Sequence, residues 1–137
     1  MIHRLTDSLN FQAEALVLRS ERQRLIASNI ANADTPGYVA REMDFASALR
    51  QASGQAATPG QLKATAAGHV QSAAGARIEA QLRYATPSQT NLDRNTVDMD
   101  RERASFADNS VKYEATLRFI NGSVRNMLDA MKSPQQG

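Results

Sequence analysis

The side chains best suited to bind a metal ion form one cluster late in the sequence: Asp93, Asn95, Asp98, Asp100 and Glu102. A twelve-residue calcium loop needs Gly at its sixth position and Glu at its twelfth. A loop starting at Asp93 has Asp98 and Ala104 there, and a loop starting at Asp98 has Arg103 and Asn109. The cluster therefore predicts a turn and a helix start, where side-chain oxygens cap the backbone and negative charge is favoured.

Other side-chain chemistry finds no support in the sequence. His3 and His69 are the only histidines, and no carboxylate cluster lies near His69. The absence of Cys excludes disulfides, thiolate metal sites and a cysteine nucleophile. No phosphate-binding glycine loop, nucleophile elbow or metalloprotease motif occurs. We therefore expect no enzymatic activity, no metal and no cofactor.

Charge and hydropathy argue against two further function classes. The 137 residues carry 16 basic and 14 acidic side chains, and the basic excess is spread over Lys63, Arg77 and Arg83. Nucleic-acid binding usually needs basic side chains clustered on one face, so we expect no nucleic-acid partner. No stretch approaches the ~20 apolar residues of a membrane span, and the first residues lack the apolar region of a cleaved secretory signal. We expect neither membrane insertion nor a cleaved signal peptide.

The sequence to about residue 32 predicts one long helix. Large aliphatic side chains recur at intervals of three and four and form what we call the N-terminal seam: Ile2, Leu5, Leu9, Leu16, Ile26 and Ile30. Three polar residues interrupt this seam: Gln12, Arg19 and Gln23. A neighbouring stripe recurs every seven residues: Phe11, Leu18 and Leu25.

The sequence from about residue 98 predicts a second long helix. Its C-terminal seam alternates steps of four and three: Phe106, Ser110, Tyr113, Leu117, Ile120, Val124, Met127 and Met131. This alternation over more than three heptads is typical of helices that pair side by side. Two ion pairs are expected at a spacing of four residues, Asp108 with Lys112 and Glu114 with Arg118.

The sequence between the two helices has a different composition. Of residues 51–76, twenty-one are Ala, Gly, Gln, Ser or Thr. Such a segment buries too little apolar surface to offset its ordering entropy, so we expect flexibility over residues 51–92, with room for a short strand or β-hairpin near residues 76–84. The expected fold is mainly α. Residues 1–50 and 93–137 form one structural domain, in which the two long terminal helices pair as a coiled-coil-like unit.

A distinctive turn follows the first helix: Asp34, Thr35, Pro36, Gly37 and Tyr38. Pro36 and Gly37 fit the central positions of a type II turn. Asn32 suits a left-handed helix cap. A helix stop does not account for Asn29, which lies three residues before Asn32 on the same helix face. We expect both amides to bond across a contact between subunits.

Both helical ends carry a resemblance to a known family. The sequence SNIANADTPGY, residues 28–38, is similar to the signature near the N-terminus of bacterial flagellar rod and hook proteins. FQAEAL precedes it at residues 11–16, and MDFA follows at residues 43–46. NTVDMDRE at residues 95–102 and FADNSVKY at residues 106–113 resemble the subunits of the proximal rod in particular.

The resemblance implies a structural subunit of the proximal rod of the flagellar basal body, which polymerises through its terminal helices and transmits torque. It implies export through the flagellar type III apparatus without a cleaved signal, and assembly in the periplasm. The implied partners are further copies of the chain, other proximal rod proteins, the adaptor between rod and membrane ring, and the export gate. Both seams, with Asn29 and Asn32, are then the expected assembly interface. Arg94 stands where members often carry Gly, which argues against a left-handed turn there.

Two interpretations stay open for Phe45 and Leu49, which a short helix capped by Asp44 places on one face. They cover the long helices, or they form the Phe-x-x-x-apolar motif that the export gate reads in similar substrates. A second function class also stays open, in which amphipathic ends bind a membrane or a partner protein, although interfacial helices are usually rich in Lys and Arg. The narrow seams further predict a free monomer whose ends are largely disordered until assembly.

Overall fold

The computed structural model describes residues 2–54, 82–84 and 92–132. In chain order these form helix α1 (Ile2–Ala31), strand β1 (Arg41–Met43), helix α2 (Phe45–Ala52), strand β2 (Leu82–Tyr84) and helix α3 (Met99–Lys132). The prediction of a mainly α fold with two long terminal helices is confirmed. Most of the segment predicted to be flexible, residues 55–81 and 85–91, lies outside the described residues.

Helices α1 and α3 lie side by side and run in opposite directions. Gln23 of α1 contacts Ser110 of α3, whereas Asn29, further along α1, contacts Glu102, which is earlier on α3. At 1.5 Å per residue, the two helices are about 45 Å and 51 Å long. Their direct contact is the side-by-side pairing that the seams predicted.

The line of closest contact between α1 and α3 is made largely of small and polar side chains. Ala15 and Ile26 of α1 and Asn109 and Thr116 of α3 are buried. The Thr116 hydroxyl donates to the Lys112 carbonyl of its own helix at 2.8 Å, so it carries no unsatisfied donor into the contact. Small side chains allow two helix axes to approach closely.

Most of the two predicted seams flank this buried line. One group of seam residues is half-buried: Leu9, Leu16, Ile30, Tyr113, Leu117, Ile120 and Met127. Another group is exposed: Leu5, Phe106, Val124 and Met131. On α3 the buried residues keep the predicted seven-residue period, but Asn109 and Thr116 each lie one position before a seam residue. One position is about 100° around a helix, so the period is as predicted and the contact face is displaced.

Helix α2 covers another side of α1. Its N-cap is Asp44, as predicted, and the Asp44 carboxylate accepts hydrogen bonds from the Ser47 amide at 3.2 Å and the Ser47 hydroxyl at 2.9 Å. A small apolar core joins the two helices to β1: Leu18, Met43 and Ala48, with Leu25, Phe45, Leu49 and Ala52 packed against them. Two members of the stripe of α1 that recurs every seven residues, Leu18 and Leu25, therefore lie on the face that α2 covers.

The two short strands pair antiparallel, with Arg41 opposite Tyr84 and Met43 opposite Leu82. The strand expected near residues 76–84 is present at its C-terminal end, but its partner lies before α2 rather than in an adjacent hairpin arm. Residues 76–81 fall outside the described part of the chain. Among the residues that the structure describes, no helix has the length and apolar character needed to cross a membrane.

Candidate assembly site

The turn after α1 has the predicted type II geometry. The Thr35 carbonyl accepts a hydrogen bond from the Tyr38 amide at 3.2 Å, and Gly37 has φ +74°, the left-handed value that a type II turn requires at its third position. A Cβ added at Gly37 would meet no neighbouring atom. Glycine is therefore favoured here by backbone conformation and not by space.

Asn32 does not adopt the left-handed conformation that the sequence predicted. Among the described residues other than glycine, only Arg94 has a positive φ, so the φ of Asn32 is negative. The Asn32 amide N–H donates to the Ser28 carbonyl at 3.1 Å, and its Nδ2 donates to the same carbonyl at 2.8 Å. Its side-chain amide thus makes a bond inside the last turn of α1, and the bond across a subunit contact stays a prediction.

Asn29 is the centre of a buried hydrogen-bond network and is only 1% exposed. Its Nδ2 donates to the Arg41 carbonyl at 2.8 Å and to the Glu102 carboxylate at 3.2 Å. Its Oδ1 accepts from the Arg41 amide and from the Tyr38 hydroxyl, both at 3.1 Å. An asparagine amide offers two donors and two acceptor lone pairs, so its capacity is filled within one chain. The expected subunit bond is therefore replaced by a link from α1 to β1, the turn and α3.

Asn95 caps the end of α1 from the other half of the chain. This residue is 2% exposed, and its Nδ2 donates to the carbonyls of Asn32, Ala33 and Thr35 at 2.9, 2.8 and 2.8 Å. Its Oδ1 accepts from the Val97 amide at 2.9 Å. These carbonyls follow Ala31, the last residue of α1. The carbonyls of Asn32 and Thr35 also accept from backbone amides, whereas Asn95 gives the Ala33 carbonyl a partner that would otherwise have to be water. The sequence indicated only a turn at Asn95.

Backbone hydrogen bonds run beside these two amides. The Gly37 amide donates to the Asp93 carbonyl at 2.7 Å, and the Thr96 amide donates to the Tyr38 carbonyl at 3.0 Å. The Thr96 hydroxyl accepts from the Ala40 amide at 2.8 Å. The turn after α1 is therefore bound directly to the segment that precedes α3.

We call this meeting place of residues 28–41 and 93–102 the motif junction. Within it Arg94 has φ +57°, so the left-handed turn is present although this residue carries a side chain. The hydrogen bonds at Asp93 and Asn95, on either side, hold the backbone in this conformation despite the steric cost of a Cβ. The expectation against a left-handed turn was wrong for that reason.

Part of the predicted acidic cluster starts α3. The Asp98 carboxylate accepts hydrogen bonds from the backbone amides of Asp100 and Arg101 at 3.1 and 3.2 Å, as expected for a helix cap. Within the described ranges, no three histidine or acidic side chains are placed to hold a metal ion.

A second polar layer crosses the α1–α3 contact. Gln23, which interrupts the N-terminal seam, donates through Nε2 to the Ser110 hydroxyl at 2.8 Å. Gln23 Oε1 accepts from Asn109 Nδ2 at 2.7 Å, and that same Nδ2 donates to the Arg19 carbonyl at 2.9 Å. The polar interruptions of the two seams therefore face each other. Sliding one helix past the other would leave these groups buried without partners, so they fix the register.

The ion pairs found among the described residues lie at the surface. The predicted pairs are confirmed, with Lys112 at 2.8 Å from Asp108 and Arg118 at 2.6 Å from Glu114. Exposed pairs of this kind contribute little to stability. Glu102 differs, because partial burial raises the pKa of its carboxyl, and the hydrogen bond from Asn29 only partly opposes this shift.

The helical pair is open to solvent at the end far from the motif junction. In the described residues of α1 before Ala15 and of α3 after Thr116, no side chain is buried. We call residues 3–14 and 117–132 the distal ends. They expose large apolar side chains by 39% to 65%: Leu5, Phe11, Phe119, Val124, Leu128 and Met131. Exposed apolar side chains grouped in this way are typical of an interaction surface.

Comparison with known proteins bears on what this surface does. Residues 9–38 match the family model described as "Flagella basal body rod protein". The chain is 49% identical over 140 residues to the flagellar basal body rod protein FlgB of Proteus mirabilis (strain HI4320), with all of both chains covered. It is 46% identical over 136 residues to FlgB of Escherichia coli (strain K12), covering 97% of this chain and 99% of the relative. FlgB of Salmonella typhimurium (strain LT2) is 46% identical over 135 residues, covering 96% and 98%.

Proposed function

This chain belongs to the flagellar basal body rod protein family and is a structural subunit of the proximal rod, and we propose that it polymerises there through the distal ends of its terminal helices. The observation that carries the proposal is the uncovered apolar surface of residues 3–14 and 117–132. Two helices cannot enclose that surface by themselves, so further helices from neighbouring subunits have to cover it. Contacts that join unlike surfaces of identical subunits build an open helical polymer when the rotation does not close.

The motif junction and the polar layer support a mechanical role. Asn29 and Asn95 tie both halves of the chain together through directional hydrogen bonds, and Gln23 fixes the register of α1 against α3. A rod that transmits torque needs subunits whose internal geometry stays constant under load. We infer that the two chain ends form one structural domain for this reason and that the role involves neither catalysis nor a cofactor.

The family places the subunit among other rod components of the basal body. We propose that its partners are copies of itself, the other proximal rod proteins and the adaptor to the membrane ring, in the periplasm. We propose further that the chain reaches that compartment through the type III export gate without a cleaved signal. The resemblance of its terminal motifs to exported rod subunits supports this route.

The test of polymerisation uses Leu117→Asp and Ile120→Asp, two half-buried positions at the start of the distal end of α3. A charge buried without a partner is very costly, so we expect either change to abolish rod assembly and motility. Asn121→Asp adds the same charge at an exposed neighbouring position and should leave motility intact. Normal motility in both seam variants would contradict the proposal.

Strong flotation of the purified chain with anionic lipid vesicles would instead support a membrane-binding function.

The state of the free subunit gives a second test. The distal ends lack buried side chains, so we expect limited proteolysis of the monomer to trim them early. Cleavage should slow where the chain reaches Ala15 and Thr116, the outermost buried residues of the helix pair. A monomer with protease-resistant ends and a sharp melt independent of concentration would count against folding on assembly.

A further inference from the structure

Helix α2 leaves part of the apolar stripe of α1 uncovered. It packs over Leu18 and Leu25 but ends at Ala52, and Phe11, the next member of the stripe, stays exposed. The result is an open groove of about 480 Å³. Its walls come from about two turns of α1 and from the end of α2: Asp7, Asn10, Phe11, Ala13, Glu14, Ala52 and Ser53. The groove therefore presents one aromatic ring between two carboxylates.

Neither carboxylate of the groove is neutralised within the described part of the chain. Asp7 and Glu14 are exposed, and the ion pairs found among the described residues involve other acids. The two groups lie seven residues apart, with Phe11 four residues after the first and three before the second. A helix that fits this groove needs an apolar side chain flanked by two basic ones at the matching spacing.

The last turns of α3 carry that pattern on their exposed surface. Arg125, Leu128 and Lys132 are exposed, and neither basic side chain forms an ion pair with a residue that the structure describes. The steps are three and then four residues, the reverse of the groove. When the two helices run in opposite directions, Glu14 meets Arg125, Phe11 meets Leu128 and Asp7 meets Lys132. All three pairs then match in a single register.

We propose that the groove beside Phe11 receives the last turns of α3 from a second copy of this chain, antiparallel to α1. The occupant is a second copy because neither the acidic nor the basic set pairs with a described residue of its own chain, while the two sets complement each other. In this register Asp129 faces the neutral Asn10, so no like charges meet. The inference rests on the proposed polymerisation and names one of its contacts. Groove and basic segment are different surfaces, so each copy donates to one neighbour and receives from another.

Charge reversal tests the register in cells that carry the variants in place of the natural chain. Like charges placed opposite each other at an interface are strongly unfavourable, so we expect Glu14→Lys to reduce the amount of chain in purified basal bodies about tenfold or more. Combining it with Arg125→Glu restores the pair, and recovery to within about threefold of the natural chain is expected. Glu21→Lys makes the same charge change seven residues along α1, outside the groove. Arg125→Glu should therefore not increase the amount of this variant in purified basal bodies.

Cross-linking tests the contact directly, because the chain contains no Cys. Asn10→Cys with Asp129→Cys places two thiols at the same level of the proposed helix pair. Oxidised basal bodies should yield a ladder of covalent dimers and larger species. The control pair Asn10→Cys with Val111→Cys, about 27 Å out of register along α3, should yield none.

The outcomes separate this inference from the proposed function. Rods that assemble normally but give no ladder, together with failure of Arg125→Glu to rescue, overturn the groove contact and leave polymerisation intact. A cross-link confined to single chains overturns it as well. Absence of the natural chain from purified rods would overturn both the contact and the proposed function.

Discussion

Replacing Asn95 by Ala should destabilise the fold more than any other single change at the motif junction that leaves the helices themselves untouched. Within the described part of the chain the side chain has four hydrogen-bond contacts from a position that is 2% exposed. Its two Nδ2 hydrogens are shared among three carbonyls just after α1, and its Oδ1 accepts from the Val97 amide. Alanine removes all four. It also separates the N-terminal motif from the segment that leads into α3.

The magnitude follows from which groups keep another partner. The Asn32 carbonyl still accepts from the Thr35 amide at 3.1 Å, and the Thr35 carbonyl still accepts from the Tyr38 amide at 3.2 Å. The Ala33 carbonyl and the Val97 amide lose the partners that Asn95 gives them. A polar group left without a partner costs ~1–3 kcal/mol when it is fully buried, and because Ala33 and Val97 are half-buried the expected loss lies at the lower end, about 2–3 kcal/mol. That is a large share of the ~5–15 kcal/mol that stabilises an ordinary domain.

Asn95→Asp sharpens the test because it preserves shape and keeps an acceptor for Val97. Its carboxylate would face three carbonyl oxygens, which raises its pKa in the folded state above the unfolded value. A raised carboxyl pKa means that the folded state binds the proton more tightly. The destabilisation should therefore be greatest at neutral pH and should diminish as the pH falls through the raised pKa. Asn95→Ala should show no such recovery.

Urea unfolding followed by far-ultraviolet circular dichroism measures these changes, with trimethylamine N-oxide present if the parent needs added stability. Asn121→Ala, an exposed asparagine of α3, is the matched control and should stay within about 0.5 kcal/mol of the parent. An Asn95→Ala protein as stable as this control would refute the capping argument. An Asn95→Asp protein without pH-dependent recovery would refute the stated role of the Nδ2 donor.

Three further predictions follow from the same contacts. Arg94 adopts a left-handed conformation that costs ~1–2 kcal/mol for a residue with a Cβ, and Arg94→Gly removes that cost. The greater freedom of glycine in the unfolded chain offsets part of the gain. The free energy of unfolding in urea should therefore rise by about 0.5–1 kcal/mol. Burial raises the pKa of Glu102, so the ionised carboxylate opposes folding at neutral pH. Glu102→Gln keeps an oxygen that accepts from Asn29 but carries no charge. This variant should therefore raise the melting temperature at neutral pH more than at acid pH. Phe45→Ala with Leu49→Ala removes two side chains that pack on the core of α1 and α2 and should lower stability by ~1–3 kcal/mol. In cells lacking the later rod proteins, retention of that double variant inside the cell would indicate an export role, whereas its accumulation in the periplasm would leave only packing.

The parts of the fold that the sequence predicted are those set by local signals. Pro36 and Gly37 specify their turn within four residues, and Asp44 and Asp98 cap helices through amides two or three residues away. The heptad periods and the charge pairs four residues apart likewise act within a few turns of one helix. In each case the partners are neighbours in sequence, so residue type and spacing are sufficient.

The contacts that the sequence did not predict join residues far apart in the chain. Asn29 and Asn32 were correctly singled out as more than a helix stop, but their partners lie in the same chain, and nothing local distinguishes a distant intramolecular carbonyl from one in a neighbouring subunit. Asn95 reaches carbonyls 60 to 63 residues away. Its partner groups are backbone atoms, which carry no side-chain signature, so no residue pattern could have indicated them.

The displacement of the α1–α3 contact from the predicted seams has a physical consequence for assembly. If Phe106, Val124 and Met131 formed the internal contact, their apolar surface would be buried inside the subunit. Instead the internal contact uses Asn109, Thr116 and other small or polar groups, whose directional hydrogen bonds and close approach fix one geometry. The larger apolar side chains stay outside, where burial is favourable in proportion to area and does not demand a particular partner orientation. A subunit divided in this way fixes its internal geometry around the motif junction while leaving most of its apolar driving force for contacts with its neighbours.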